Sequence, residues 1–318
     1  MTEFLAADCA ANLFGCDMKI CSLLPSGTEI LYALELGDQV VAVTHECDYP
    51  PEAASKPQIT ESLIDHERLS STEIDHQVSS NIGRHGSIYR LKQDLLEALK
   101  PDLIVTQELC DVCAVSYKEV QRAARILEGS TRIVSLEPNT LNEVLDTILL
   151  VGTLTGRQRT AEEKVRELRG RLDRVRERVR GAERARVYAM EWLDPPFSGG
   201  HWVPEMVEIA GGQEVLGKAG LKSERLVPER ILEALPEIIV LMPCGFSLER
   251  TIEEYHRTTF FPAWEELPAV RNHRVYAVDG SSYFNRSGPR LVDGVEILSE
   301  IFHPRGTDVP YRNFERLS

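Results

Sequence analysis

The sequence predicts an α/β protein of two Rossmann-like lobes, each built on a parallel sheet, joined by one long backbone helix. Three observations predict it. Short apolar runs rich in β-branched residues alternate with helical patterns, as they do in parallel sheets covered on both faces. A highly charged helical stretch interrupts that alternation at residues 157 to 186. The plan before the interruption then recurs after it. Leu99-Lys-Pro-Asp-Leu-Ile-Val105 answers Ala234-Leu-Pro-Glu-Ile-Ile-Val240, and Arg132-Ile-Val-Ser-Leu-Glu-Pro138 answers Arg274-Val-Tyr-Ala-Val-Asp-Gly280.

The elements follow in order. Residues 1–18 read as an N-terminal extension and residues 19–156 as the first lobe. Lys19-Ile-Cys-Ser-Leu-Leu-Pro25 is a strand stopped by proline, and Ile30, Leu31, Leu34 and Leu36 mark the helix after it. Val40 to Thr44 is a second buried strand that runs into His45-Glu-Cys-Asp-Tyr-Pro-Pro51, at the strand end where parallel sheets usually carry their chemistry. Leu91 to Leu99 reads as a helix, Leu103 to Thr106 as a strand, Tyr117 to Leu127 as a helix and Arg132 to Leu136 as a strand.

Residues 157–184 form the connecting helix. Ala161, Val165, Leu168, Leu172, Val175 and Val179 recur at spacings of three and four, which makes one apolar seam. Around it, residues 157 to 186 hold 12 Arg or Lys and 6 Asp or Glu, a net +6 in a chain whose total is -14. One helix of this length bends little, so small lobe movement is expected. Residues 185–304 form the second lobe: a strand at Ala185 to Met190, short helices at Pro204 to Ala210 and Glu229 to Leu235, and a strand at Ile238 to Met242. Residues 305–318 read as a polar, loose tail.

Composition narrows the function. With 42% hydrophobic and 27% charged residues over 318 positions, the chain buries a sizeable core. A net charge of -14 repels phosphate backbones, so nucleic acid is excluded as a partner. No run approaches the roughly 20 apolar residues of a membrane span, so no membrane insertion is expected. Glu3 and Asp8 stand where a secretory signal carries basic residues, and the expected location is cytoplasmic. The 7 cysteines then read as thiols, a metal site or a redox pair rather than a disulfide framework.

The usual catalytic signatures are missing: there is no Walker A loop, G-x-S-x-G elbow, H-E-x-x-H or G-x-G-x-x-G after a strand. Three loops carry chemistry instead. Cys110-Asp-Val-Cys113 follows a strand, where two such thiols serve as a redox pair, as half a metal site, or as unligated groups lining a cleft. A zinc or iron–sulfur site would take Cys47, Cys110, Cys113 and His45 as its ligands. Asp194-Pro-Pro-Phe-Ser-Gly-Gly-His-Trp202 offers Phe197, His201 and Trp202 either to a flat ligand face or to the core. Ser281-Ser-Tyr-Phe-Asn-Arg286 offers Ser282, Tyr283, Phe284 and Arg286 as two rings and a cation, or else forms a polar surface turn. His66, His76 and His85 lie in a polar insertion and read as solvated.

Leu24-Pro-Ser-Gly-Thr-Glu29, Asp48-Tyr-Pro-Pro51, Lys100-Pro-Asp-Leu-Ile104, Pro195-Pro-Phe197 with Gly211-Gly212, and Tyr283-Phe-Asn-Arg286 with Pro289-Arg290 fall in one order. That ordered set, across about residues 19 to 303, resembles the periplasmic vitamin B12 binding proteins and their relatives, the helical-backbone metal-chelate receptors. The resemblance implies that a small-molecule metal chelate, cobalamin or a related corrinoid, is bound between two lobes and that no chemistry is performed on it. It also places pocket residues at Glu46, Cys47, Phe197, Ser282 and Arg286. The chain departs from those receptors in three ways. It shows no export or lipid-attachment segment, it carries an insertion around Glu61 to Ser87, and it has cysteines at 47, 110 and 113. A cytoplasmic variant with doubtful docking to an ABC transporter is therefore expected. The alternative is a metal- or iron–sulfur-dependent redox protein.

Overall fold

The computed structural model describes residues 18–64, 68–85, 88–107, 131–304 and 313–317, with the backbone only at 82–85. Residues 1–17 of the predicted extension at 1–18, the predicted helix near 117–127, and Cys110 and Cys113 lie outside the described residues. The fold is α/β with two lobes. By its internal contacts the chain divides into a first unit of residues 1–63, 81–137 and 146–166, and a second of residues 64–80, 138–145 and 167–318.

The first unit holds β1 (Ile20–Ser22), α1 (Pro25–Ala33), β2 (Val40–Ala42), β3 (Thr60–Ser62), β4 (Tyr89–Leu91), α3 (Gln93–Leu99), β5 (Leu103–Thr106) and β6 (Arg132–Ser135). Its main sheet runs β2-β1-β5-β6, all parallel, and β3 pairs with β4 in a separate antiparallel ribbon. β1 and β5 are buried along their whole length, as continuous apolar strands in the middle of a parallel sheet must be. Cys21, Leu23, Ala42, Ile59, Leu96 and Ile104 form the core on one face of that sheet.

The second unit contains β7 (Arg186–Trp192), β8 (Phe197–Ser198), α6 (Val203–Ile209), β9 (Gln213–Glu214), α7 (Pro228–Ala234), β10 (Ile238–Leu241), α8 (Leu248–Arg257), α9 (Pro268–Arg271), β11 (Val275–Val278), α10 (Gly280–Tyr283), α11 (Leu291–Phe302) and β12 (Phe314–Arg316). β9, β7, β10 and β11 are successive parallel neighbours. This is the same connectivity as β2-β1-β5-β6, so the repeated sequence blocks occupy equivalent strands. The match extends to the backbone: α3 and α7 end on Lys100 and Leu235, which adopt the left-handed conformation at φ 47° and 43°. One expectation fails here. Phe314–Arg316 is no loose tail but pairs antiparallel with β11 at the sheet edge.

Two further helices lie between β6 and β7 in the chain. α4 (Leu141–Leu154) leads through the left-handed Gly156 into α5 (Gln158–Arg178), the predicted long helix. The apolar seam is buried at Ala161, Val165, Leu168, Leu172 and Val175. α5 ends six residues before the predicted limit, because Val179 and Gly181 turn the chain into the loop before β7. Within the second unit, Arg171 bonds Asp293 and Glu296 (2.6 Å to Glu296 Oε2), and Arg178 bonds Glu300 at 2.6 Å. The Arg178 and Glu300 side chains are only 19% and 15% exposed, so water screens this pair poorly. Arg178→Ala should therefore destabilise the protein by about 3 kcal/mol in urea unfolding, while the double variant Arg178→Met with Glu300→Leu should recover most of that loss.

Candidate functional site

In each unit the candidate residues lie where parallel strands end, the place at which open α/β sheets usually bind ligands. In the first, the chain leaving β2 folds Thr44 to Cys47 into a tight turn. Cys47 is 2% exposed, and its Sγ lies 3.0 Å from Thr28 Oγ1 and 3.1 Å from Thr44 Oγ1. Thr44 Oγ1 also accepts the Glu46 amide at 3.2 Å. His45 Nδ1 is 2.7 Å from Thr60 Oγ1, its ring tilts against Tyr89, and its Nε2 lies 3.4 Å from the Glu46 carboxylate. Burial pushes the Cys21 thiol far above its ordinary range, with Cys47 adding to the effect, so a thiolate is disfavoured beside this loop. Among the described residues no group of three or more His, Cys, Asp or Glu stands ready to hold a metal. Of the predicted metal set, Cys47 and His45 are instead engaged by threonine hydroxyls, while Cys110 and Cys113 lie outside the described residues.

In the second unit three loops leave β7, β10 and β11 side by side. The Met242 amide donates to Met190 O at 2.9 Å, Cys244 to Glu191 O at 3.3 Å and Ser281 to Phe246 O at 3.1 Å. Ser282 lies in α10, whose first turn is capped by the Asp279 carboxylate accepting the Ser282 amide at 2.7 Å. Arg286 donates to Ser281 Oγ at 3.2 Å, and the Arg290 guanidinium lies 5.7 Å from the Tyr283 ring centre. Ser282, Tyr283 and Arg286 are thus held together at the strand ends.

Two predicted ligand residues are not available there. Phe284 is fully buried, and Trp202 is 6% exposed with its indole N–H donating to Phe284 O at 2.7 Å. Both pack in the core of this unit and present no ring face. Phe197 is half-buried in β8, and its carbonyl accepts the Tyr188 hydroxyl at 3.0 Å. His201 sits in the left-handed region at φ 50°, against the loop of Gly220 to Lys222. Burial, with Lys222 adding, lowers its pKa and keeps it neutral.

The sequence reading missed Trp192 and Phe246, whose rings meet at 5.3 Å next to these loops, and Arg250, whose guanidinium lies 4.8 Å from the Phe246 ring centre. The Arg250 and Glu254 spacing of four residues on one helix was the available signal. A separate cavity of about 570 Å³ in the second unit is lined by Leu141, Arg169, Leu172, Glu205 and Glu214 among others. None of the predicted site residues lines it.

A model of the periplasmic binding protein family matches residues 20–281. The chain belongs to that family. It is similar to an uncharacterised ABC transporter substrate-binding lipoprotein, YvrC, of Bacillus subtilis, with 28% identity over 90% of this chain and 80% of the relative. It is likewise similar to the vitamin B12-binding protein of Vibrio cholerae, with 26% identity over 87% of this chain and 86% of the relative. Among solved structures, a periplasmic heme binding protein from Pseudomonas aeruginosa superposes with a TM-score of 0.72 over 95% of this chain and 98% of that one. At 16% identity this likeness concerns the fold.

These findings correct two expectations. The cytoplasmic location is overturned by membership of a periplasmic family with a lipoprotein relative. The doubt about transporter docking falls with it, since substrate-binding proteins of this kind serve ABC transporters.

A Cβ on Gly280 would stand 2.3 Å from Pro243 O and 2.7 Å from Met242 C, so Gly280→Ala must push the β10 and β11 loops apart. Thermal and urea unfolding should show a loss of about 1 to 3 kcal/mol. Glu214 accepts amides from Ala189, Leu216 and Gly217, yet burial pushes its carboxyl up to about 7. The folded chain therefore holds this proton more tightly than the unfolded chain. The resulting stabilisation is complete below the ordinary carboxylate pKa and disappears as pH rises through about 7. Unfolding measured from pH 4 to 8 should show this loss in the native protein and not in Glu214→Gln.

Proposed function

We propose that the protein is a non-catalytic substrate-binding component that captures a corrinoid, cobalamin in particular, for an ABC importer. The observation that carries this reading is the similarity to the Vibrio cholerae vitamin B12-binding protein, which extends across 87% of the chain. The site chemistry supports it. A flat metal chelate with amide and phosphate substituents needs ring faces, a few fixed donors and little else. Tyr283, Ser282 and Arg286 supply these on the second unit, and the turn at Glu46 supplies polar groups on the first. The hydrogen bonds of Cys47 to two threonine hydroxyls favour this reading over a zinc or iron–sulfur redox centre built on this loop.

A porphyrin is the second reading, favoured by the fold likeness to the Pseudomonas aeruginosa heme binding protein. Incubation of the purified protein with cyanocobalamin or with hemin, followed by gel filtration with visible detection, separates the two. The red corrinoid should travel with the protein, and Arg286→Ala should weaken its retention. Retention of hemin alone would transfer the assignment to porphyrins, and retention of neither would overturn it.

A further inference from the structure

Residues 64–80 belong to the second unit, although β3 and β4 on either side belong to the first. Within this stretch α2 (Ser71–His85) begins directly on the second unit's strand-end loops. The Ser71 amide donates to Glu254 Oε1 at 2.6 Å, and the Trp192 indole donates to Ser71 O at 3.2 Å. Arg250 donates to Leu69 O at 2.6 Å, and the Thr72 hydroxyl donates to Asp194 at 2.6 Å. Glu254 is 1% exposed and lies 3.1 Å from Arg250 Nη2, so both charges of a buried pair are turned onto the backbone of the insertion. Ser71 and Ile74 are buried in consequence.

Charge-assisted bonds to a buried carboxylate are among the stronger contacts a surface segment can make. This is a fixed attachment rather than a resting contact. It is also made where ligands of parallel sheets bind, outside the carboxyl ends of β7 and β10. We propose that residues 69–74 form a fixed wall of the ligand site on the second unit and restrict the size of chelate admitted, with Arg250 and Glu254 as the residues that position it. This rests on the substrate-binding reading above. Trp192 serves the wall and not the ligand: its N–H is already given to Ser71, and its ring is held against Phe246.

The geometry of β3 and β4 allows a clean test. Ser62 stands opposite Tyr89, and the Leu63 amide donates to Ile88 O at 2.8 Å. Replacing residues 64–87 by Asn-Gly therefore closes a two-residue hairpin and removes the wall, leaving Glu254 hydrated. A milder variant is Ser71→Pro. Proline suits the first position of a helix and deletes the N–H that Glu254 accepts, together with the buried serine hydroxyl. It decides the matter if the hairpin variant does not fold.

Dissociation constants would be measured for cyanocobalamin, for adenosylcobalamin with its bulkier upper ligand, and for hemin, using native protein and both variants. Removing the wall should improve binding of adenosylcobalamin relative to cyanocobalamin by about tenfold or more, the scale on which pocket shape discriminates. A native protein that binds none of the three defeats the functional reading. Gain of any of them by the hairpin variant would still support the wall. Unchanged affinities across all three, or absence of binding in both proteins, overturns it.

Discussion

Three backbone hydrogen bonds at the carboxyl edge of the second sheet, from Met242 to Met190, Cys244 to Glu191 and Ser281 to Phe246, hold the candidate site together. They exist because β7, β10 and β11 are parallel neighbours in continuous register, so the chains leave them side by side. Gly280 makes the last of these approaches sterically possible, since any side chain there would collide with Pro243 O. Ordering a free backbone costs on the order of 1 to 2 kcal/mol per residue. Loops already tied to one another spare most of that cost when a ligand arrives.

The same edge is braced from behind. Arg171 and Arg178 on α5 bind Asp293, Glu296 and Glu300 along α11. α11 in turn meets the loop of the candidate site at Gly294, where a Cβ would stand 2.3 Å from Tyr283 O. Charge on the long helix is therefore not merely a solvated coat. Part of its excess of arginine orients the helix that supports Tyr283 and, through it, the neighbouring Ser282 and Arg286.

Much of this fold was legible in the sequence, because it rests on side-chain periodicity. The block at Leu99 to Val105 and its counterpart at Ala234 to Val240 became equivalent strands preceded by equivalent left-handed turns. The apolar seam from Ala161 to Val175 became the buried face of α5. The candidate site was legible only in part. Ser282, Tyr283 and Arg286 lie together as the motif suggested, but Trp202 and Phe284 turned inward. Gly200 packs its backbone directly against Ser223 just before Trp202, and the Trp202 indole is given to the Phe284 carbonyl. The insertion was read as solvated polar chain, which suits the exposed His76 but not Ser71. Its attachment runs through the Ser71 amide and carbonyl and the Leu69 carbonyl, groups that every residue possesses and that leave no pattern to read. Trp192 and Phe246 escaped for a similar reason, since each is an isolated ring in an otherwise ordinary strand end.

Preformation of the strand-end edge is the central claim, and hydrogen exchange of the unliganded protein tests it most directly. The amides of Met242, Cys244 and Ser281 should exchange slowly, as slowly as the middle of β10, and cyanocobalamin should change their rates little. Rapid exchange at these three amides in the free protein, slowed only when cyanocobalamin is added, would contradict the account and make the edge a product of binding.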